Sequence, residues 1–206
     1  MRRGIRMAYE SEIHRRRSTR LQDWDYSWPW WYYVTIVVKS RQCRFGHIED
    51  DRVALSDLGK IAEDCWRQIP QHHGGIDLDD YVVMPNHIHG IVILNGSGEG
   101  RRDVQLNVPT DGGTLTECPY TSRREAMGAL SPKRGSLSVV IRTFKAAVTA
   151  HVRNAGIADF GWQERFHDHI IRNDADLRRI RTYISNNPLQ WAIDEENPQR
   201  RKEVNW

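Results

Sequence analysis

Apolar positions divide the chain into two ordered regions separated by a long polar stretch. The first region opens with a β-branched and aromatic run from Trp30 to Lys39, which predicts a buried strand. A shorter run from Phe45 to Ile48 is interpreted as a hairpin partner of that strand. Apolar residues then recur at steps of three and four, which predicts a helix over 55–69 with Ser56 as its N-cap.

Two more apolar runs follow this helix, from Tyr81 to Met84 and from His87 to Leu94. The polar break between them predicts a central hairpin or one continuous strand with a bulge. From Asn95 to about Gly135 the composition changes to Gly, Ser, Thr, Pro and charged residues. Such a stretch is typical of a long loop or a disordered insert.

The second ordered region has two amphipathic helices with an extended segment between them. The first helix is predicted from Ser136 to Gly156, because six apolar residues lie on one face. Residues 162–171 are predicted to be extended, and Asp174 opens a helix that ends or bends at Pro188. Together these elements predict an α+β fold, an antiparallel sheet with helices packed on one face.

The length of the chain and the distribution of its charges predict how it divides into domains. A chain of 206 residues is long enough for one sizeable core, so we expect one domain over 30–191. Residues 1–20 hold seven arginines against two glutamates, whereas the rest of the chain is nearly neutral. We therefore divide off a basic arm over 1–29 and a tail over 192–206. A basic arm suits an anionic partner, although a solvated terminus has the same composition.

Several classes of protein are set aside. The longest mainly apolar run has nine residues, well short of the roughly 20 that a membrane helix needs. The amino-terminal arginines are followed by no apolar stretch, which excludes a secretory signal, and the three cysteines form no Cys-x-x-Cys pair. No glycine-rich nucleotide loop is present. We expect a cytoplasmic protein with no membrane partner and no nucleotide cofactor.

His87 and His89 are candidate metal ligands. Residues two apart on a strand point to the same face, so both imidazoles project together. Two neutral imidazoles form half of a divalent-metal site. A polar sheet face or a pair of satisfied buried histidines would give the same pattern.

Tyr183 and Asn187 are four residues apart on the last predicted helix, so they lie on one face. A tyrosine hydroxyl can serve as a covalent nucleophile, and an amide oxygen suits a hard metal ion. An aromatic side chain in this setting is more often part of the core. Arginine outnumbers lysine heavily around these two helices, which favours phosphate contacts by residues such as Arg142, Lys145 and Arg172.

Taken together and in the order in which they occur along the chain, these motifs resemble those of a known family. The segment from Tyr81 to Gly90 resembles the motif block of the single-tyrosine transposases with a His-hydrophobic-His (HUH) signature. The later block is similar to the REP-associated tyrosine transposases. The residues that carry this similarity are Trp162-Gln163-Glu164-Arg165-Phe166, Asp168-His169, Arg172-Asn173 and the run from Tyr183 to Pro188. The resemblance covers roughly residues 14–94 and 136–191.

The resemblance implies a ferredoxin-like or RNA-recognition-like HUH core. It implies that His87, His89 and Asn187 bind Mg²⁺ or Mn²⁺ and that Tyr183 is the nucleophile. The implied activity is cleavage and rejoining of single-stranded DNA at REP-like hairpins through a 5′-phosphotyrosine, close to the bacterial nucleoid. His169 would support the site, and a monomer and a homodimer are both compatible with the family.

The resemblance also implies DNA contacts, which we expect from Arg16, Arg17 and Arg20 of the arm, and from Arg142, Lys145 and Arg172. Two alternatives remain open at this point. One is a catalytically silent module that binds hairpin DNA, and the other is a phosphoesterase that uses metal-activated water. A second metal or a pH-dependent role for His167 also stays open, as does the role of the insert over 95–135.

Overall fold

The computed structural model describes residues 24–96 and 135–200 of this protein. The described part contains β1 (Trp31–Val37), β2 (Gly46–Glu49), β3 (Arg52–Leu55), α1 (Asp57–Arg67), α2 (Ile69–His72), β4 (Ile76–Val83), β5 (His87–Leu94), α3 (Leu137–Asn154), β6 (His167–Ile170) and α4 (Asp174–Asn186). Short 3-10 turns follow β1 at Lys39–Arg41 and α4 at Pro188–Ile193.

Four strands form an antiparallel sheet in the order β4-β5-β1-β6. Helix α1 lies in the chain between β1 and β4, and α3 lies between β5 and β6. This succession of strand, helix, two strands, helix and strand is the ferredoxin-like arrangement. The predicted α+β class, antiparallel sheet and ferredoxin-like core are therefore confirmed, and the break between β4 and β5 is a hairpin.

The predicted partner of the first strand pairs elsewhere. The run that begins at Phe45 forms β2, which pairs with β3 in a separate two-stranded sheet rather than with β1. Both strands are short and none of their residues is buried, so they lack the buried apolar run that would mark a strand of the main sheet.

The main core lies between one face of the sheet and helices α1 and α3. Alternate residues of β1 and β5, among them Ile36 and Val92, point into it and are fully buried. Trp66 of α1 packs edge-on against Phe144 of α3, with ring centroids 5.3 Å apart. The apolar face predicted for the helix from Ser136 to Gly156 is therefore the face of α3 that packs into the core.

Helix α4 covers the opposite face of the sheet, which corrects the expectation that all helices pack on one face. Ile91 and Ile93 of β5 pack there against Leu177, Ile180 and Ile184. The physical reason is that every residue of β5 is buried and apolar residues point to both of its faces, so both faces need a cover. The second face also carries His87 and His89.

Local sequence explains where helices α1 and α4 begin. Ser56 accepts a hydrogen bond from the backbone N–H of Gly59 at 3.1 Å and caps α1, as predicted. Asn173 caps α4 in the same way through the N–H of Asp176, at 2.8 Å. No helix in residues 24–96 or 135–200 combines the length and the apolar character that crossing a membrane requires.

A methyl group added at Gly90 is expected to destabilise the fold. The Cβ of an alanine here would lie 2.3 Å from Cζ2 of the Trp66 ring, which is itself fully buried. We expect Gly90→Ala to lower the free energy of unfolding by about 1–3 kcal/mol through overpacking, measured by urea denaturation. Gly74→Ala is the matched control, because a Cβ there meets nothing within 4 Å, and equal stability of the two variants would contradict the prediction.

Candidate active site

Strand β5 brings two histidines together in the interior. His87 and His89 are both buried, and their Nε2 atoms lie 2.9 Å apart. Two donor nitrogens about 2.1 Å from one cation, at a right angle to each other, would be separated by roughly 3 Å. The spacing of the two imidazoles therefore fits a shared metal ion, which is the arrangement expected from the His-x-His pattern.

The side chain of Asn86 orients His87. Its amide nitrogen donates to the carbonyl oxygens of Arg41, at 2.9 Å, and Glu196, at 2.7 Å. The amide oxygen is thereby turned toward Nδ1 of His87 at 2.8 Å and accepts a hydrogen bond from it. Because Nδ1 carries the proton of a neutral imidazole, Nε2 keeps a free lone pair for a metal ion.

Two hydroxyl groups hold the other imidazole. Nδ1 of His89 lies 2.7 Å from the Tyr33 hydroxyl and 2.9 Å from that of Thr35. Since Nε2 of His87 has the free lone pair, Nε2 of His89 donates to it in the structure. Ligation through both Nε2 atoms requires the His89 proton to move to Nδ1, where both hydroxyl oxygens are placed to accept it.

Burial keeps both histidines neutral. Desolvation lowers the pKa of His87 to about 3, and it lowers the pKa of His89 well below its ordinary value, with a further decrease from His87. A metal ion binds the neutral form of imidazole, so no proton has to be displaced at neutral pH.

The same pKa shifts predict how stability depends on pH. Between pH 6.5 and about 3 the unfolded chain binds protons that the folded histidines do not, so metal-free protein loses stability as the pH falls through this window. Each histidine contributes a slope of up to about 1.4 kcal/mol per pH unit. We expect urea unfolding in EDTA to show a flatter pH profile for the double variant His87→Gln, His89→Gln than for the parent. Parallel profiles would show that the pair titrates normally.

Tyr183 and Asn187 reach the histidines from α4. The Tyr183 side chain remains 41% exposed, and its ring centroid lies 5.3 Å from that of His89 and 6.2 Å from that of Tyr33. Burial and the charge of Asp194 raise the pKa of Tyr183, whereas hydrogen bonding with Asn187 and Tyr33 lowers it and offsets part of that increase. The phenol is therefore both reachable from solvent and connected to the imidazole pair.

The amide oxygen of Asn187 lacks a hydrogen-bond partner among the described residues, although the residue is only 1% exposed. A buried polar atom without a partner costs free energy unless something else satisfies it. The amide also lies beside His87, whose pKa it raises slightly against the effect of burial. Two neutral imidazoles and a free amide oxygen form a donor set that fits a divalent cation.

His169 lies beside this site and anchors the helix that carries Tyr183. Its Nε2 is 2.7 Å from a carboxylate oxygen of Asp176 in the first turn of α4. A second anchor joins α4 to the sheet, since Arg181 donates twice to one oxygen of Asp79, at 2.6 and 2.9 Å. His167 is exposed on β6, opposite Thr35 of β1.

The predicted DNA contacts are dispersed over the structure. Arg172 is exposed where β6 leads into α4, on the side of the site. Arg142 and Lys145 belong to α3, on the opposite face of the sheet. The Lys145 ammonium donates to the carbonyl oxygens of Gln163 and Arg165, and burial lowers its pKa to about 8. The arm residues Arg16, Arg17 and Arg20 lie outside the described residues.

Several side chains of the site carry no motif of their own. Asn86, Thr35 and Tyr33 contact the imidazoles but were not predicted, because their role depends on the pairing of β1 with β5. Asp194 also lies beside the histidines, within the segment assigned to the tail. The polar break at Pro85-Asn86 was the one available signal for Asn86.

Comparisons with known proteins support a family assignment. No family model matches the chain. A REP-associated tyrosine transposase bound to a REP hairpin has a TM-score of 0.48 at 17% identity, over 79% of this chain and 68% of the other. A candidate transposase from Deinococcus radiodurans R1 has a TM-score of 0.38 at 13% identity, and the match covers 77% of this chain and 91% of the other. An uncharacterised protein of Haemophilus influenzae Rd is 34% identical over 188 residues, which cover 91% of this chain and 96% of that protein. The chain therefore belongs to the same family as this Haemophilus influenzae protein.

Proposed function

We propose that this protein is a divalent-metal-dependent transposase that cleaves and rejoins single-stranded DNA at hairpins through a covalent tyrosyl intermediate. The observation that carries the proposal is that one reachable phenol meets two neutral, buried imidazoles and a buried amide oxygen without a partner. A protein that only binds DNA has no need of this combination. The choice of single-stranded hairpin DNA as substrate follows from the motif resemblance.

In the proposed reaction, the Tyr183 oxygen forms a bond to phosphorus while the bond from phosphorus to the 3′ oxygen breaks. The phenol gives up its proton and the departing 3′ oxygen takes one up, which leaves a 5′-phosphotyrosine and a free 3′-hydroxyl. Attack by a 3′-hydroxyl on the phosphotyrosine reverses the exchange and rejoins the DNA. One ester replaces another in each step, so the reaction needs no nucleoside triphosphate.

The residues that would hold Mg²⁺ or Mn²⁺ are His87, His89 and Asn187. When bound, such an ion supplies electrophilic stabilisation of the charge that develops on the phosphate oxygens. The chain itself positions the nucleophile, since the Tyr183 ring packs against both His89 and Tyr33. Burial raises the pKa of Tyr183, and hydrogen bonding with Asn187 and Tyr33 offsets part of that increase.

The proposed DNA contacts divide by position. Arg172 would contact phosphates of the bound strand, because it is exposed just before the helix that carries Tyr183. Arg142 on α3 and the arginines of the arm would contact more distant parts of the hairpin. Lys145 would act with one remaining donor, since two of its N–H groups already bind backbone carbonyls. His169 would support the site through its contact with Asp176.

The experiment that tests this proposal traps the covalent intermediate. Full-length protein is incubated with Mn²⁺ and single-stranded hairpin oligonucleotides taken from the DNA that flanks its gene, labelled at either end. We expect a slowly migrating, protease-sensitive adduct on a denaturing gel that carries the label from the 3′ side of the cleavage point, because tyrosine holds the new 5′ end. An adduct with the opposite label, or cleavage without an adduct, would contradict the mechanism.

A further inference from the structure

The carboxylate of Asp194 lies next to the histidine pair. Asp194, His87 and His89 each offer one ligand atom, and these three atoms lie within 4.8 Å of one another. Ligand atoms on opposite sides of a six-coordinate Mg²⁺ are about 4.2 Å apart. The spacing of the three ligand atoms is therefore close to that of atoms around one six-coordinate ion.

The backbone around Asp194 fixes where its side chain can go. One carboxylate oxygen of Asp194 accepts the N–H of Glu196 at 2.6 Å, which leaves the other oxygen available. The Glu196 carbonyl accepts from the same Asn86 amide that orients His87, and the Glu196 carboxylate lies 2.8 Å from Nε of Arg41. Trp191 packs near His87, with ring centroids 6.1 Å apart. The segment from Pro188 to Asn197 is thus attached to the site at several points.

Charge gives the reason for a carboxylate at this position. Two imidazoles and one amide are neutral donors, so a dication held by them alone keeps its full charge in a largely buried place. Moving an uncompensated charge out of water is costly. Mg²⁺ and Mn²⁺ also prefer oxygen ligands, and carboxylates above all. One carboxylate supplies both a preferred ligand atom and half of the compensating charge.

We infer that Asp194 is a direct ligand of the divalent cation, and that cation binding fastens the segment from Pro188 to Asn197 onto the active site. The inference rests on the proposed function, since it assigns a fourth side chain to the proposed metal centre. It departs from the ligand set implied by the sequence motifs, all of whose members precede Pro188. The cation joins β5, α4 and the segment after α4 in one cluster.

The test compares metal affinity in the parent, Asp194→Asn and Glu195→Gln. Glu195 is the matched control, because it is an exposed neighbouring carboxylate and its substitution removes the same charge. Asparagine keeps the oxygen that accepts the Glu196 N–H, so Asp194→Asn preserves the local turn. We expect calorimetric titration with Mn²⁺ to give a dissociation constant about tenfold or more higher for Asp194→Asn, and a change within about twofold for Glu195→Gln.

Hydrogen exchange of the peptides over 188–200 gives a second readout. We expect Mn²⁺ to slow exchange there in the parent and in Glu195→Gln, and to have no effect in Asp194→Asn. Parent-like affinity and protection in Asp194→Asn, together with loss of Mn²⁺ binding in His87→Gln, would overturn the inference and leave the proposed metal centre intact. No Mn²⁺ binding by the parent would overturn the metal centre itself, and with it the proposed function.

Discussion

Replacing Tyr183 with phenylalanine is expected to abolish the covalent adduct and to reduce strand cleavage by more than about 10⁴-fold, the scale seen when a catalytic nucleophile is removed. The substitution removes the attacking oxygen and keeps the ring that packs against His89 and Tyr33. Because the residue is 41% exposed, we expect folding and hairpin affinity to change little. Cleavage and adduct formation are measured on denaturing gels with Mn²⁺, and affinity by titration with the same oligonucleotides.

Tyr81→Phe is the matched control for this experiment. It removes the same atom from a tyrosine that belongs to β4 and whose hydroxyl accepts from Nε of Arg67 at 2.6 Å, away from the histidine pair. Equal cleavage by the parent and Tyr183→Phe, with no adduct from either, would indicate a water nucleophile. Tight hairpin binding by the parent without any product would indicate a recognition module.

Removing either histidine of the pair is expected to have the second largest effect. We expect His87→Gln and His89→Gln each to weaken Mn²⁺ binding by at least about 100-fold, since even residues that only orient metal ligands contribute 10–100-fold. Cleavage should fall with metal occupancy and should recover in part at high Mn²⁺. Isothermal titration gives the affinity, and the adduct assay repeated over a range of Mn²⁺ concentrations gives the activity.

His151→Gln provides the comparison, because His151 is exposed on α3, behind the sheet. Its metal affinity and activity should match those of the parent. Glutamine keeps a polar side chain at positions 87 and 89, so the variants should fold, and circular dichroism in EDTA checks this. Full Mn²⁺-dependent activity in both His87→Gln and His89→Gln would exclude the histidine pair as the metal centre.

The fold was predictable where the local pattern and the tertiary role agree. The strand from His87 to Leu94 and the cap at Ser56 follow from composition and spacing, and the structure has them where they were expected. The placement of α4 on the second face was missed, although the apolar run from Ile91 to Leu94 is the signal of a strand covered on both sides. The β2–β3 hairpin was missed because its strands bury little apolar surface.

The site was predictable to the extent that its residues belong to motifs. His87, His89, Tyr183 and Asn187 were nominated from spacing and resemblance, and the structure brings them together. The contact between Asn86 and Glu196 spans 110 positions of the chain, so no periodicity could indicate it. Asp194 was missed for the same reason, because its approach to the histidines depends on the path of the chain after α4.

The contact between Asn86 and Glu196 also sets an order in which the parts of the site can assemble during synthesis. All four strands of the main sheet are contained in the chain up to Ile170, so the scaffold can form without the segment that follows. The proposed nucleophile, Tyr183, follows thirteen residues later. Asn86 gains its second carbonyl partner only when the segment that carries Glu196 packs against the site. We therefore expect a chain that stops before Glu196 to contain the whole sheet and Tyr183 while the Asn86 amide, and with it His87, is incompletely oriented.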